Sequence, residues 1–365
     1  MNKLVKLKIP SSTSHYDIII TDEPPFLTLT RRINRMNYSS LTIITNVVVW
    51  KLYGSLIDST FREQKLAYRV IVLSDGEKYK NLETVQTIYK RLLAYRMDRS
   101  SVIIGIGGGV VGDITGFVAS TYMRGIRFIQ VPTTLLAQVD AAIGGKTGVD
   151  YAFIKNVVGT FYQPVFIYSN VNLLQTLQDR VYRSGLAEVI KYGVVKDKDL
   201  FSYIEKNIEG ILKQSKRVML NIVYSSSNAK AWFVQKDEKE ITGIRTLLNF
   251  GHTFGHAIET VSNYKILHGE AVGMGMVIAA KLSKRLNLCK EDVVEKLEDL
   301  VQAIGLTKYR NTFDINDLSK AINYDKKSRA TKINLVLVKK IGVPVIYTMD
   351  KKMLKKILME VKYEG

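Results

Sequence analysis

Three of the four histidines in this chain lie close together: His252, His256 and His268. Such crowding is uncommon for histidines that only fill a core, whereas imidazole is the commonest neutral ligand for zinc and similar cations. A spacing of four residues places His252 and His256 on one face of a helix. We therefore predict a metal site that takes a third ligand from elsewhere and leaves one position open for substrate.

Glu188 is the candidate third ligand, because it lies in an apolar helical stretch that runs from Gly185 to Lys191. A carboxylate on a buried helix face needs a compensating charge, which a cation would supply. The alternative is an ordinary surface ion pair between Glu188 and Lys191. The local sequence alone leaves both interpretations open.

A glycine-rich turn, Gly107 to Asp113, follows a β-like run and precedes a helical pattern. Glycines at such a turn let the backbone approach a phosphate, and the helix N-terminus offers free N–H groups. The turn comes fourth in the series of strands rather than first, so on its own it fits a packing turn nearly as well. Two further turns, Thr45–Asn46 and Pro132–Thr134, follow strands as well and fit either helix caps or ligand contacts. The three turns together favour NAD.

Two lysines stand in glycine-rich or apolar surroundings. Lys146 follows Gly144–Gly145, and Lys155 precedes Asn156 and a short apolar run. A lysine in a loop of small residues is a suitable point charge for a phosphate or carboxylate. The glycine spacing does not match a Walker motif, so an ATPase is disfavoured.

The periodicity changes at about residue 175. Before it, helical patterns such as Leu82 to Tyr95 alternate with β-rich runs, as in βαβ units. The predicted strands are Asp17 to Ile20, Leu41 to Thr45, Tyr68 to Leu73, Val102 to Ile106 and Arg127 to Val131, with an edge strand within the first ten residues. After it, helical segments dominate: Arg183 to Val195, Leu200 to Gln214, Met219 to Gln235, His252 to Val261, Gly269 to Leu286 and Glu291 to Ala303, followed by a β-like run from Ile333 to Val338. We predict a Rossmann-like α/β nucleotide-binding domain over residues 1–175, with an open, mostly parallel sheet, and a mainly α-helical metal-binding domain over 176–365.

The net charge of +19 raises nucleic-acid binding as an alternative function. The excess is scattered, and its densest clusters lack interleaved aromatic residues or a known nucleic-acid-binding signature. No apolar run is long enough to span a bilayer, and the N-terminus does not read as a signal peptide. The only cysteine is Cys289, which excludes an intrachain disulfide. We expect a cytoplasmic protein that does not bind membranes or nucleic acid.

Six sequence blocks together resemble the signature blocks of the 3-dehydroquinate synthase family, in family order. They are Gly107 to Arg124 (GGGVVGDITGFVASTYMR), Val131 to Val149, Lys155 to Pro164, Gly185 to Gly193, Leu248 to Glu259 (LNFGHTFGHAIE) and His268 to Gly275. The resemblance spans roughly residues 40 to 340. It implies a lyase of the shikimate pathway that uses NAD and zinc or cobalt. Such an enzyme converts 3-deoxy-D-arabino-heptulosonate 7-phosphate to 3-dehydroquinate and phosphate.

The resemblance also implies roles for individual residues. Glu188, His252 and His268 would bind the metal, and His256 would handle protons instead of coordinating the cation, which changes the pairing suggested by spacing alone. Catalysis would further involve Glu240, Lys146, Lys191, Arg245 and Asn249. The substrate would be contacted by Arg124, Asp140, Lys146, Asn156, Lys191, Lys230, Arg245, Asn249 and one of Lys326 and Lys327. NAD would be contacted by Asn46, Glu77, Lys80, Gly108, Gly109, Val110, Asp113, Thr133, Thr134, Lys155, Leu173 and Thr176.

In this family the equivalent of Arg124 reaches the substrate phosphate from the neighbouring subunit, which implies a homodimer. The segment Asp237 to Arg245 is one residue longer than the family pattern, so among these residues Glu240 has the weakest correspondence to that pattern. Competing interpretations are another sugar phosphate cyclase and a metal-dependent polyol or glycerol phosphate dehydrogenase.

Overall fold

This computed structural model describes residues 2–9, 15–152, 154–307, 315–324 and 331–362. The chain forms two compact units, one from Met1–Leu177 with Met219–Lys239 and the other from Gln178–Val218 with Glu240–Gly365. The predicted boundary after residue 175 lies close to the first crossing between units. It did not include the return of Met219–Lys239 to the first unit.

The first unit is built on a sheet of seven strands: β1 (Asn2–Lys8), β2 (His15–Thr21), β3 (Leu41–Asn46), β4 (Arg69–Leu73), β5 (Val102–Gly107), β6 (Arg127–Pro132) and β9 (Phe166–Asn170). Their order across the sheet is β1-β2-β9-β6-β5-β3-β4. Only β1 runs antiparallel to its neighbour, and the other pairings are parallel. The mostly parallel sheet predicted from the sequence is therefore confirmed.

Helices cover both faces of this sheet because successive apolar residues of a buried strand point to opposite sides. On β5, Val102, Ile104 and Ile106 belong to one buried cluster, whereas Ile103 belongs to the other. The helices of the unit are α1 (Leu27–Ile33), α2 (Val47–Glu63), α3 (Leu82–Ala94), α4 (Gly109–Thr121) and most of α8 (Lys216–Lys236).

A separate antiparallel hairpin consists of β7 (Lys146–Tyr151) and β8 (Ile154–Phe161). Gly148 and Gly159 pair directly, and a Cβ on Gly159 would lie 2.3 Å from the carbonyl oxygen of Thr147. The sequence indicated loops here, but Lys146 begins one strand and Lys155 lies in the other. The cross-strand pairing of small residues explains the difference, because no side-chain periodicity marks these strands.

The second unit is mainly helical, as predicted. Its helices are α5 (Asp179–Val195), α6 (Lys198–Lys206), α7 (Ile208–Leu212), α9 (His252–Val261), α10 (His268–Arg285), α11 (Glu291–Ala303), α12 (Ile315–Tyr324) and α13 (Lys351–Lys362). The single helix expected from Leu200 to Gln214 is divided at Asn207 into α6 and α7. One antiparallel strand pair completes the unit, β10 (Lys332–Lys340) with β11 (Val343–Asp350).

Glycines allow α9 and α10 to pack against each other at very short range. A Cβ on Gly275 would lie 2.1 Å from the carbonyl oxygen of Gly251, and one on Gly255 would lie 3.1 Å from the backbone of Val272. The two helices that begin with His252 and His268 are thereby fixed relative to each other. Among the described residues, no helix is both long enough and apolar enough to cross a bilayer.

Candidate metal and dinucleotide sites

The second unit brings Glu188, His252 and His268 together. Glu188 lies in the middle of α5, and the two histidines are the first residues of α9 and α10. Nε2 of His252 is 3.4 Å from Oε1 of Glu188, and Nε2 of His268 is 3.8 Å from the same oxygen. Tetrahedral ligands about 2.1 Å from zinc are about 3.4 Å apart, so the spacing suits one cation.

The environment of Glu188 also fits a cation. Its side chain is fully buried, and neither carboxylate oxygen has a hydrogen-bond partner of acceptable geometry. The ammonium group of Lys191 forms an ion pair with Oε2 and is itself buried. Glu188 and Lys191 therefore do form an ion pair, but the alternative of a pair at the surface is wrong, because both side chains are buried. A buried carboxylate with unused lone pairs is a suitable ligand for a divalent metal.

Each imidazole is anchored through its other nitrogen. Nδ1 of His252 lies 3.2 Å from the carbonyl oxygen of Phe250, and Nδ1 of His268 lies 3.3 Å from Oε2 of Glu259. Because a carbonyl oxygen only accepts, the hydrogen of His252 resides on Nδ1 and the lone pair on Nε2 points towards Glu188. This arrangement of outer partners is typical of metal-binding histidines.

The two histidines differ in their acid–base behaviour. Burial lowers the pKa of His252 well below its ordinary value, and the charges of Lys191 and the other two histidines act in the same direction. Burial also acts to lower the pKa of His268, but the hydrogen bond to Glu259 and the charge of Glu188 outweigh it, so that this pKa is raised. His252 is therefore neutral, the form that coordinates metal.

His256 is exposed, and its ring centroid lies 5.5 Å from that of His252 and 5.9 Å from that of His268. A second group with ligand atoms close enough for a metal contains His256, Glu259 and His268. Neither of these two groups, within the described part of the chain, combines His252 with His256. The four-residue spacing thus placed both histidines near the site without placing them in one ligand set.

The junction of α5 and α10 holds His268 near Glu188. The guanidinium of Arg180 donates to both carboxylate oxygens of Glu270, at 2.7 and 2.8 Å, and Glu270 also accepts from the backbone N–H of Leu267. The backbone N–H of Gly269 donates to Oγ of Ser184 at 3.0 Å. Sequence reasoning missed these residues. Glu270 could have been found, since it occupies the third helical position after the cap, where a glutamate often caps a helix.

In the first unit, the predicted dinucleotide turn lies at the N-terminus of α4. Gly108 is the N-cap residue, and no side chain caps the helix. The backbone N–H of Thr133 donates to the carbonyl oxygen of Gly107 at 2.9 Å, which brings the turn after β6 next to the turn after β5. An uncapped 13-residue helix that begins with glycine suits a pyrophosphate. Packing also favours glycine in this turn, because a Cβ on Gly107 would lie 2.6 Å from Cβ of the branched Val111 side chain.

Lys80, Asp113 and Asn156 form a connected polar group. The buried Nζ of Lys80 is 2.6 Å from Oδ2 of Asp113 and also donates to Oδ1 of Asn156. Burial raises the pKa of Asp113 to about 6, and the charge and hydrogen bond of Lys80 counteract part of that increase. Two residues expected at NAD and one expected at substrate are thus adjacent.

The remaining residues expected at NAD have varied surroundings. Oδ1 of Asn46 accepts from the N–H of Val49 at 2.9 Å, so Asn46 does cap a helix, and its amide reaches Asp75. Thr176 is hydrogen-bonded to Tyr53 at 2.6 Å. Others are exposed (Glu77 and Lys155), buried (Thr133 and Leu173) or partly buried (Val110 and Thr134).

The residues expected at substrate lie in both units. In the first, Asp140 lies in a π-helical turn, Ala137–Ala141, and pairs with Nζ of Lys230 at 2.5 Å. Lys146 and Arg124 are exposed there. In the second, the buried Arg245 lies 3.3 Å from Glu240, and Asn249 is exposed. Lys326 and Lys327 lie outside the described residues.

Comparison with known proteins identifies two matching family models, which together cover most of the chain. The model described as "3-dehydroquinate synthase N-terminal" matches residues 70–184, and "3-dehydroquinate synthase C-terminal" matches 185–328. The chain is 42% identical over 359 residues to a 3-dehydroquinate synthase of Thermodesulfovibrio yellowstonii, a match that covers 97% of this chain and 99% of that protein. It is 44% identical over 311 residues to the enzyme of that name from Acetivibrio thermocellus, covering 85% and 86%.

A solved structure is also similar over nearly the full length. It is 2-epi-5-epi-valiolone synthase from Streptomyces hygroscopicus with bound NAD+ and Zn2+, with a TM-score of 0.87 and 26% identity. The match covers 97% of this chain and 98% of that one. The predicted fold class is confirmed by this likeness.

Proposed function

We propose, starting from the fact that this chain belongs to the 3-dehydroquinate synthase family, that Glu188, His252 and His268 hold the catalytic divalent cation. The chain is an NAD- and metal-dependent lyase that converts 3-deoxy-D-arabino-heptulosonate 7-phosphate to 3-dehydroquinate and phosphate. The observation that carries the ligand assignment is the buried Glu188 carboxylate, which faces two imidazole Nε2 atoms at 3.4 and 3.8 Å.

NAD bound at the N-terminus of α4 would supply reversible hydride transfer, and a cation held by Glu188, His252 and His268 would supply polarisation of substrate oxygens. His256 moves protons to and from the substrate, because its exposed ring is near the two histidine ligands and free of the burial that surrounds His252. Glu240 is the second proton-transfer group, and Arg245 orients its carboxylate at 3.3 Å. A tuned pair of such groups suits a reaction with successive proton transfers.

The substrate carries both a phosphate and a carboxylate, and the chain supplies matching positive charge. We assign its binding to Lys146, Lys191, Lys230, Arg245 and one of Lys326 and Lys327, with Asp140, Asn156 and Asn249 orienting its hydroxyl groups. Lys230 is already held by Asp140, and Lys191 by Glu188. A charged donor fixed in advance loses little side-chain freedom when an anion binds.

For NAD, we assign the pyrophosphate to the N-terminus of α4, with Gly108, Gly109 and Val110 supplying backbone N–H groups. Lys80 and Asp113 support this turn, since Asp113 lies in the first turns of α4 and pairs with the buried ammonium of Lys80. The other proposed contacts are Asn46, Glu77, Thr133, Thr134, Lys155, Leu173 and Thr176.

We further propose a homodimer in which Arg124 reaches the substrate phosphate of the neighbouring subunit. Met123 and Arg124 both have left-handed backbone conformations, with φ of 51° and 65°, and both side chains are exposed. The hairpin β7–β8 exposes Tyr151, Ile154, Val157 and Phe161, each at least 44% accessible. Exposed apolar surface of this extent is typical of subunit contacts.

We also propose a cytoplasmic location. The chain has one cysteine, so it has no intrachain disulfide of the kind common in exported proteins.

The activity is tested with purified protein, NAD, zinc or cobalt, and 3-deoxy-D-arabino-heptulosonate 7-phosphate. We expect stoichiometric phosphate release without net accumulation of NADH, because NAD is regenerated in each turnover. Steady production of NADH would instead indicate a dehydrogenase. Faster phosphate release from sedoheptulose 7-phosphate or glucose 6-phosphate would indicate another sugar phosphate cyclase.

A further inference from the structure

Glu259 lies on α9 and reaches the ring of His268 from the side opposite Glu188. The residue is only 8% exposed, and its Oε2 is 3.3 Å from Nδ1 of His268. On the other edge of the ring, Nε2 is 3.8 Å from Oε1 of Glu188. The imidazole therefore lies between two carboxylates, one at each nitrogen.

We infer that Glu259 is a positioning residue that fixes the ring orientation and tautomer of His268 for metal binding. This inference rests on the metal assignment proposed above. An ionised carboxylate accepts a hydrogen bond, so it holds the imidazole hydrogen on Nδ1. The lone pair then resides on Nε2, the atom that faces Glu188.

The comparison with His252 shows why His268 needs this side chain. His252 is anchored at Nδ1 by the main-chain carbonyl of Phe250, at 3.2 Å. His268 lies at the start of α10, where the preceding backbone N–H of Leu267 is bound by Glu270. Glu270 fixes the backbone of His268, whereas the hydrogen bond at Nδ1 holds the rotation of its ring. Among the described residues, Nδ1 of His268 forms its hydrogen bond with Glu259.

Without a carboxylate at Nδ1, the hydrogen is free to move to Nε2 and the ring is free to turn. Either change removes the lone pair from the position that faces Glu188. Loss of such an outer partner typically weakens metal binding about 10- to 100-fold. The hydrogen bond also gives the buried Glu259 carboxylate a partner, which a buried charged group requires.

The experiment measures the dissociation constant of Co2+ by competition with a chelator, together with the visible absorption of the Co2+-loaded protein. Glu259→Gln keeps the size of the side chain and one acceptor oxygen but removes the charge, and Glu259→Ala removes the acceptor. The matched control is Glu298→Gln, which removes a carboxylate on α11 that is also mostly shielded from solvent, with a side chain 20% exposed, and that pairs with Lys281 at 3.5 Å. The unfolding midpoint of each metal-free protein is measured in EDTA.

We expect Co2+ to bind about 10-fold more weakly to Glu259→Gln and up to about 100-fold more weakly to Glu259→Ala. The Co2+ spectrum should change in both, while metal-free unfolding midpoints of Glu259→Gln and Glu298→Gln stay close to that of the parent. If Glu259→Ala does not fold, Glu259→Gln alone decides, because it preserves the packing.

Co2+ affinity of Glu259→Gln equal to that of Glu298→Gln, with an unchanged spectrum, would overturn the inference. A loss of Co2+ affinity in Glu259→Gln that is matched by an equally large loss of stability in the metal-free variant would also overturn the inference, because Glu259 would then have a purely structural role. His268→Ala separates this outcome from failure of the ligand assignment. If His268→Ala binds Co2+ as tightly as the parent, the ligand set itself is wrong; if it loses Co2+ while Glu259→Gln does not, only the role of Glu259 is wrong.

Discussion

Gly269 lies where the N-terminus of α10 meets α5, next to one proposed metal ligand, His268, and opposite the helix that carries another, Glu188. A Cβ on Gly269 would lie 1.8 Å from the carbonyl oxygen of Ser184 and 2.7 Å from its Oγ. Ser184 precedes Glu188 by one helical turn, and Gly269 directly follows His268. The spacing of these two helices therefore determines the distance between Glu188 and His268.

The substitution Gly269→Ala should separate the helices at this point. Carbon and oxygen atoms in close contact normally stay about 3.3 Å apart, so the backbones must move by about 1.5 Å. Metal sites tolerate ligand displacements of only about 0.2 Å. We therefore expect a loss of Zn2+ affinity of about 10- to 100-fold. The added methyl group should also overpack the contact and lower the free energy of unfolding by about 1–3 kcal/mol.

The assay is chelator competition for Zn2+, with thermal unfolding in EDTA as the measure of stability. Gly273→Ala is the matched control, because it lies one turn further along α10 and the atoms nearest to its Cβ would belong to side chains, Leu306 at 3.1 Å and Val301 at 3.5 Å, rather than to backbone. Replacing glycine by alanine inside a helix favours the helix by about 1 kcal/mol, so this control should bind Zn2+ normally. If Gly269→Ala bound Zn2+ as tightly as Gly273→Ala, the helix contact would not set the ligand geometry.

Two further predictions concern the first unit. Burial raises the pKa of Asp113 to about 6, so the folded protein holds a proton that the unfolded chain, with a pKa of about 3.9, releases. The free energy of unfolding should fall by up to about 3 kcal/mol as pH rises from about 4 to about 6. Denaturant melts of Asp113→Asn should lack this pH-dependent decrease. If the unfolding free energies of the parent and of Asp113→Asn changed in parallel with pH, the prediction would be contradicted. Val157→Asp on the exposed face of β8 should convert a dimer into monomers in light scattering, because it places a charge in the proposed contact, whereas Leu93→Asp on α3, also at an exposed apolar residue, should remain dimeric. Equal behaviour of these two variants would place the dimer contact elsewhere.

Much of the fold could be predicted because periodicity reports burial directly. Strand β5 (VIIGIG) has no polar side chain and is buried throughout, as expected for a parallel sheet covered on both faces. The bounds of α9 and α11 agree with the patterns from His252 to Val261 and Glu291 to Ala303. The hairpin β7–β8 could not be predicted, because its two strands pair through small residues, with Gly148 opposite Gly159, and show no alternation of apolar and polar side chains.

The candidate metal-binding histidines could be singled out from the sequence, because histidines so close together rarely serve only a core. Their partners could not, since these contacts join distant parts of the chain. Arg180 reaches Glu270 across 90 residues, and the burial of Glu188 with Lys191 depends on packing around α5 rather than on local sequence. Spacing within one helix favoured His256 as a ligand, whereas tertiary packing brings His268 from the start of another helix to face Glu188.

Crystals grown with zinc and measured at the zinc absorption edge test the metal assignment most directly. The account predicts one strong anomalous peak per chain in the second unit, about 2.0–2.2 Å from a carboxylate oxygen of Glu188 and from Nε2 of both His252 and His268. A peak coordinated by His256 and Glu259 with no contact to Glu188 would contradict it.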